Sequence, residues 1–230
     1  IPPPPTIRCR VPAVSLPARL ERIGEAGAYW MGVVVGAGDP VRQIPLNVWR
    51  AWMLRFFERV PKGRLVLIGQ GADRERARVM QEKLPSSVLG RVWDATGRTT
   101  LPELAVLLAR CTCVIGSDTG PLHLAAAVGT PVQGWYLARA RVHETGPYGA
   151  GHLVWQAEGG DGGLANPVTW PIEAAVAACL HEPPTTLGGW SVWLSQRDAR
   201  GTYYTRAGAA PSSPPDRDMV WNELHHAVAE

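Results

Sequence analysis

The sequence predicts an α/β protein whose core is a doubly wound parallel sheet. Two observations lead to this prediction: short apolar runs alternate with amphipathic stretches, and most of the apolar runs end in a turn that contains glycine. Continuous apolar strands are typical of parallel sheets that helices cover on both faces. Because crossovers between parallel strands are right-handed, the pattern over residues 28–182 predicts a Rossmann-like domain.

Each element follows from the spacing of its apolar residues. The strand candidates are short apolar runs, at 30–35, 65–68, 88–93, 113–116, 130–136 and 152–156. The helix candidates repeat their apolar residues every three or four positions, at 17–26, 45–60, 73–84, 101–109, 121–128 and 171–181. In the second helix candidate, for example, Trp49, Met53 and Phe56 fall on one face and predict burial against the sheet.

The two ends of the chain differ from this central segment. Residues 1–27 combine a proline-rich, extended lead-in with a short helix that ends at Gly27. Residues 183–230 are predicted to form a separate tail. Its elements are a β-hairpin with strands at 190–194 and 202–205 joined across 198–201, and a terminal helix at 216–228.

The composition excludes several classes of protein. The chain has 230 residues, of which 46% are hydrophobic and 19% are charged, so it is globular and not disordered. A net charge of only +3 gives no indication of a nucleic-acid partner. The apolar runs are too short for a transmembrane segment. The chain begins at Ile1 without an initiator methionine, which suggests a fragment or a trimmed or processed product.

The cysteines and histidines do not predict a metal site. Cys111 and Cys113 lack the second pair that a zinc site would need, and scattered cysteines in a chain of this size do not indicate a disulfide scaffold. The histidines at 143, 152 and 181 lack metal-ligand spacing. We therefore expect no metal cofactor and small, buried cysteines.

The strongest candidate for a binding loop runs from Gly116 to Ala127. A strand ends there, Gly120 permits a tight turn, and Pro121 suits the first turn of a helix that Asp118 or Thr119 could cap. The free N–H groups and the dipole of such a helix form an anion site that suits a diphosphate. A well-capped packing helix with a half-buried histidine at position 123 explains the same residues equally well.

Two further glycine loops follow strands. The first contains Gly36, Gly38 and Arg42, whose guanidinium could bind phosphate oxygens, although an ordinary turn with a solvated arginine explains it as well. The second contains Gly71 and Asp73. Here the backbone could approach a ribose while the Asp73 carboxylate accepts hydrogen bonds from the ribose hydroxyls. Alternatively, the acidic residue could simply favour the start of a helix.

A fourth loop, 96–101, contains Gly97 and could approach a base or a phosphate, or could serve only as the N-cap of the next helix. A nicotinamide oxidoreductase is disfavoured because Val41 occupies the third glycine position of the dinucleotide fingerprint. Neither a Walker A sequence nor a nucleophile elbow is present.

Together these loops resemble a known family. The run Ser117-Asp118-Thr119-Gly120-Pro121-Leu122-His123-Leu124-Ala125-Ala126-Ala127, followed by Gly129-Thr130-Pro131, resembles the signature of the ADP-heptose lipopolysaccharide heptosyltransferases, glycosyltransferase family 9. Segments 36–45, 69–77, 96–104 and 146–149 resemble the family's other loops in the same order, so the resemblance covers about residues 28–182. Arg42 stands where the family usually has lysine, and Ile44 where it usually has an aromatic residue, which bears on nucleotide affinity or identity.

The resemblance implies the carboxyl-terminal half of a GT-B fold, which binds a nucleoside-diphosphate sugar. The first candidate for this donor is an ADP-sugar, and the sugar it carries is heptose-like. It also implies metal-independent transfer. The implied donor-binding residues are Asp118, Thr119, Gly120, Pro121, His123, Arg42, Gly36, Gly38, Gly71, Asp73 and Gly97. The family's catalytic base lies in an amino-terminal domain that has no counterpart in these residues, so none is expected here.

The implied partners are the sugar nucleotide, a glycan or lipid-linked acceptor, and an amino-terminal domain or a protein that supplies it. The implied location is the cytoplasm, with attachment to the inner membrane as an alternative. A different hypothesis is a non-catalytic module derived from GT-B that binds a nucleotide or serves in a protein assembly.

Overall fold

A computed structural model describes residues 8–82, 84–137, 140–158, 167–198 and 201–207. The described strands are β1 Tyr29–Val34, β2 Gly63–Ile68, β3 Val92–Asp94, β4 Cys113–Gly116, β5 Val132–Tyr136, β6 Leu153–Ala157, β7 Trp190–Asp198 and β8 Gly201–Arg206. The described helices are α1 Leu46–Arg59, α2 Arg74–Glu82, α3 Ser86–Leu89, α4 Leu101–Arg110, α5 Gly120–Ala127, α6 Val142–Thr145 and α7 Ile172–Cys179. Short 3-10 helices lie at Ala18–Leu20, Pro40–Arg42, Gly71–Asp73 and Pro167–Thr169.

These strands form one sheet in the order β3-β2-β1-β4-β5-β6-β7-β8. The first six strands in this order are parallel to one another, and β7 and β8 are antiparallel. The predicted Rossmann-like α/β fold is confirmed. The hairpin predicted beyond residue 182 joins this same sheet, because β7 pairs along the whole of β6. The predicted terminal helix at 216–228 lies outside the described residues.

Two apolar layers cover the sheet. On one face, Trp49, Trp52 and Phe56 of α1 pack with α7 against β1, β2 and β5. On the other face, Leu107 of α4 and Leu122 of α5 pack against β4 and its neighbours. Burial of these large side chains is the main favourable contribution to the fold, at about 25 cal/mol per Å² of apolar surface.

Two predicted elements differ from the structure. The strand predicted at 88–93 is a short helix, α3, followed by the three-residue strand β3, because Pro85 starts a helical turn and Gly90 ends it. The helix predicted at 17–26 is reduced to Ala18–Leu20 and turns. There the chain reaches Gly24, whose φ of +90° and contact with Arg110 suit only glycine. No helix of the described segments is long and apolar enough to cross a membrane.

Candidate functional site

The sheet places two glycine loops side by side at its topological switch point. The chain leaves β1 toward β2 and leaves β4 toward β5, on opposite sides, although β1 and β4 are neighbours. In open α/β sheets the crevice beyond such a pair is where ligands bind. The loop after β1 contains Arg42, and the loop after β4 contains Asp118. These two residues meet across the crevice.

Asp118 is the centre of a hydrogen-bonded cluster. One carboxylate oxygen lies 2.9 Å from Nε2 of His123, and the other accepts a hydrogen bond of 3.0 Å from the hydroxyl of Thr145. Arg42 donates from Nη1 to the Asp118 carbonyl at 3.1 Å and lies 3.4 Å from the carboxylate. The carboxylate is only 9% exposed, whereas the side chains of Arg42 and His123 are 33% and 39% exposed. The cluster therefore presents its cationic and imidazole groups to solvent and keeps its acid inside.

Asp118 is stabilised in its ionised form. Burial raises the pKa of this carboxyl, but the hydrogen bonds from His123 and Thr145 and the charges beside it outweigh burial, so the pKa lies below its ordinary value. An ionised Asp118 holds the side chains of Arg42 and His123 in place.

The first turn of α5 points into the same crevice. No side chain caps this helix end, since Thr119 donates its hydroxyl to the carbonyl of Ser117 and Asp118 is engaged elsewhere. The prediction that Asp118 or Thr119 caps α5 is therefore wrong. Pro121 has no N–H, and the Leu122 N–H donates to the Thr119 carbonyl at 3.0 Å. This helix end therefore offers an anion the N–H of Gly120 and the positive end of the helix dipole.

A cleft of about 490 Å³ adjoins this helix end. Its volume lies within the range of about 300–1,000 Å³ usual for small-molecule sites. The lining combines main chain from three glycine loops with apolar side chains. The lining residues are Ile68, Gly69, Gln70, Gly71, Gly97, Thr99, Thr100, Leu101, Leu104, Gly120, Pro121 and Leu124. Gly120 and Pro121 thus belong to both features and connect the cleft to the Asp118 cluster.

Gly97 shapes one wall of the cleft. Its φ is +59°, and a Cβ there would lie 2.7 Å from the Cα of Gly71, so two loops touch through glycine backbones. Arg74 stabilises this contact by donating hydrogen bonds to the carbonyls of Thr96 and Gly97, at 3.3 and 2.7 Å. Thr100 caps α4 reciprocally with Glu103, which confirms the N-cap interpretation of that loop.

The structure gives the remaining sequence candidates local roles. The Asp73 carboxylate accepts the N–H of Gln70 at 2.7 Å and occupies the space beside Gly36, where a Cβ would overlap it. The close approach at Gly36 is therefore made by Asp73. Gly38 has open space around it, since no atom lies within 4 Å of a Cβ built there. Gly36, Gly38 and Asp73 do not line the cleft.

Thr145 is a member of the cluster that sequence reasoning missed. It ends α6, directly before segment 146–149, which resembles a loop of the family. Its carbonyl accepts a 2.6 Å hydrogen bond from Tyr136, which fixes the end of α6. The signal in the sequence was a hydroxyl beside a rigid turn, and such pairs are too common to identify a site.

The described residues contain no group of three or more His, Cys, Asp and Glu side chains that could hold a metal ion. Cys111 and Cys113 are buried, as predicted, and so is Cys179, whereas Cys9 is exposed; all four are unpaired. Burial raises the pKa of the Cys111 thiol to about 12 and that of the Cys179 thiol to about 11, so both remain protonated at neutral pH.

Comparison with known proteins identifies a related family. The profile of glycosyltransferase family 9 (heptosyltransferase) matches residues 45–158. Lipooligosaccharide heptosyltransferase 2 of Haemophilus influenzae is 32% identical over 72 residues, which are 31% of this chain and 21% of that protein. The expected resemblance to this family is thereby confirmed.

Two solved structures share the fold. E. coli heptosyltransferase WaaC with ADP superposes with a TM-score of 0.50 and 23% identity, over 63% of this chain and 40% of that one. The family 9 glycosyl transferase from Veillonella parvula superposes with a TM-score of 0.50 and 24% identity, over 56% of this chain and 35% of that one. The chain therefore spans well under half the length of these relatives.

Proposed function

This chain is similar to the heptosyltransferases of glycosyltransferase family 9, and from that premise we propose that it is the donor-binding part of a sugar transferase. The donor is a nucleoside-diphosphate sugar, with an ADP-linked, heptose-like sugar as the first candidate. The observation that carries this proposal is the cluster at the switch point. Arg42, His123 and the uncapped end of α5 converge on one crevice, which is a suitable environment for a diphosphate.

The cleft provides the complementary nucleoside site. It adjoins the first turn of α5, so a diphosphate at the helix end places its nucleoside between the glycine backbones of 71 and 97 and the apolar side chains of Leu101, Leu104 and Leu124. Glycine backbones allow close approach to a ribose, and leucine side chains pack against a base. ADP is the first nucleotide to test because WaaC, which shares this fold, is described with ADP.

In the proposed reaction an acceptor hydroxyl attacks the anomeric carbon with inversion. A base outside this chain takes the hydroxyl proton, the new glycosidic bond forms, and the bond between the sugar and the diphosphate breaks. Negative charge develops on the departing diphosphate, and this chain stabilises it through Arg42, His123 and the α5 dipole. Asp118 orients these groups, and no metal ion is required in this scheme.

The proposed acceptor is a glycan or a lipid-linked saccharide, which a further domain or a protein partner would present from the cytoplasm. A non-catalytic module that only binds the nucleotide is the alternative. Full-length protein that binds the donor but transfers no sugar would favour that alternative.

Calorimetric titration of the 230-residue chain with ADP, UDP and GDP tests the donor site. We expect saturable binding of one nucleotide, weakened at least about tenfold in Asp118→Ala because Arg42 and His123 lose their anchor. Glu58→Gln is the matched control, since it removes one negative charge from an exposed position of α1 and should bind like the unmodified chain. No binding of any of the three nucleotides would contradict the proposal, and binding unchanged in Asp118→Ala would place the site elsewhere.

A further inference from the structure

A second cleft lies at the opposite edge of the sheet, below the amino ends of β1 and β2. Its volume is about 400 Å³, and its lining combines three basic side chains with several glycines. The lining residues are Glu25, Ala26, Gly27, Ala28, Pro61, Lys62, Gly63, Arg64, Gly90 and Arg91. It shares none of its lining residues with the cleft beside α5, so the donor site does not account for it.

Arg64 is held rigidly in this cleft. Its guanidinium carbon lies 5.4 Å from the ring centroid of Trp30 and 5.4 Å from that of Trp93, and the two indoles are in contact. Cation–π contact of this kind restricts the guanidinium without using its N–H donors. Within the described segments, neither Arg64 nor Lys62 forms a hydrogen bond or an ion pair through its side chain.

Arg91 brings a second guanidinium next to Arg64. The parallel register pairs Leu65 with Val92, and the Leu65 N–H donates to the Arg91 carbonyl at 2.8 Å. Arg64, the second residue of β2, and Arg91, directly before β3, therefore lie at the amino ends of neighbouring strands. Arg91 donates from Nη1 to the Pro61 carbonyl, which fixes its side chain. Burial lowers the pKa of Arg91, and the like charge of Arg64 lowers it further.

This arrangement contrasts with that of three arginines elsewhere on the surface. Arg55, Arg59 and Arg78 all pair with glutamates at 3.0 Å or less. In the second cleft the lining carboxylate, Glu25, is itself paired with Arg22 at 2.8 Å. Three cations therefore face one cavity, and an ordered guanidinium among them has N–H groups free to donate.

We propose that this cleft binds a phosphate group. A tetrahedral dianion satisfies the free donors of Arg64, neutralises the repulsion between Arg64 and Arg91, and fits beside the main chain of Gly27, Gly63 and Gly90, which lack side chains. The phosphate belongs either to a small soluble phosphate ester or to a phospholipid headgroup, which present the same chemistry. The site is independent of the donor nucleotide.

Titration with inorganic phosphate, followed by NMR of the backbone amides, locates binding directly. We expect saturable shifts at the amides of Gly27, Gly63 and Gly90, because these surround the cations. Lys62→Gln changes an exposed side chain without affecting the core. It should weaken the phosphate affinity obtained from these shifts about tenfold, as should Arg64→Gln. Arg19→Gln removes the same charge outside the cleft and should leave the phosphate affinity unchanged.

A further variant tests the sign of the electrostatic effect. Glu25→Gln removes the lining carboxylate and should tighten phosphate binding, whereas a purely structural change would not. Shifts confined to the amides of residues 118–123 would show that phosphate binds only at the α5 end, and would overturn the proposal. No saturable shift near Gly63, or shifts unaffected by both Lys62→Gln and Arg64→Gln, would overturn it as well.

Two further measurements distinguish the sources of the phosphate. Vesicles of phosphatidylcholine with phosphatidylglycerol are floated with the chain and with Arg64→Gln, and glucose 1-phosphate is titrated in parallel. Flotation that depends on Arg64 identifies a phospholipid headgroup. Saturable binding of the sugar phosphate at Gly63 without flotation identifies a soluble ester. Absence of both results alongside saturable binding of inorganic phosphate would identify the free anion as the ligand. Absence of all three would contradict the proposal, whatever the nucleotide titrations show.

Discussion

His152 makes the stability of this protein sensitive to acid. The residue is only 4% exposed and connects β5, the loop before β6, and β7. Its Nδ1 accepts a hydrogen bond from the Val132 N–H at 3.3 Å, and its Nε2 donates to the Tyr148 carbonyl at 3.2 Å. This pairing requires the neutral imidazole, because protonation would place an N–H at Nδ1 against the N–H of Val132. Burial accordingly lowers the pKa of His152 to about 4.

The size of the effect follows from this pKa. An unfolded histidine has a pKa of about 6.5, so between about pH 6.5 and about pH 4 the unfolded chain binds a proton that the folded chain does not. Stability therefore rises with pH in this window and falls as the pH is lowered through it. An interval of about 2.5 pH units, at about 1.4 kcal/mol for each, gives a loss of about 3.5 kcal/mol. Below about pH 4 this histidine makes no further contribution.

Urea unfolding at a series of pH values measures this loss. His152→Asn retains an acceptor for the Val132 N–H but has no titrating group. We therefore expect a chain that is less stable at neutral pH and loses about 3.5 kcal/mol less than the parent on acidification. His181→Asn is the control, because it replaces an exposed histidine whose φ of +60° asparagine tolerates. The same dependence on pH in the parent and in His152→Asn would refute the reasoning.

Three other substitutions test the site and its support. Thr145→Val removes a hydrogen bond to ionised Asp118, so calorimetry should show nucleotide binding weakened by about 1–2 kcal/mol. Thr145→Ser keeps the hydroxyl and should bind like the parent. NMR of Thr145→Val should show a raised pKa of the Asp118 carboxyl. Gly97→Ala forces a Cβ against the neighbouring loop and should abolish nucleotide binding, whereas Gly38→Ala, with open space, should not; equal binding would contradict this. Tyr204→Phe leaves a buried main-chain carbonyl without its donor and should lower the free energy of unfolding by about 1–2 kcal/mol in urea.

The local pattern of the sequence predicted most of the sheet. Apolar runs at β1, β2, β4, β5 and β6 coincide with the strands to within two residues at either end. This succeeds because a buried parallel strand needs an unbroken apolar run, and that requirement is visible over a few neighbouring residues. It failed at α3, where a four-residue turn between Pro85 and Gly90 is too short to show a period.

The hairpin illustrates a different limit. Its strands and turn were visible in the sequence, but their place was not, because pairing with β6 depends on contacts about 40 residues apart. Through this pairing the hairpin supports the loop after α6. Tyr204 donates to the Pro147 carbonyl at 2.6 Å, and Thr202 accepts the N–H of Gly149 at 2.9 Å. A segment predicted as a tail thus supports the loop that directly follows Thr145.

The sequence by itself determined the loops, since glycines, Pro121 and the Asp118-Thr119-Gly120 run mark where strands end and a helix begins. Only the tertiary structure decided which side chains in those loops act together. Arg42 and Asp118 are 76 residues apart, and Thr145 joins them from a third segment. It also turned Asp73 toward Gly36 and brought Arg64 beside Arg91. The reason is physical: backbone preference acts over a few residues, whereas hydrogen bonds and charge interactions depend on distances that exist only when the sheet has formed.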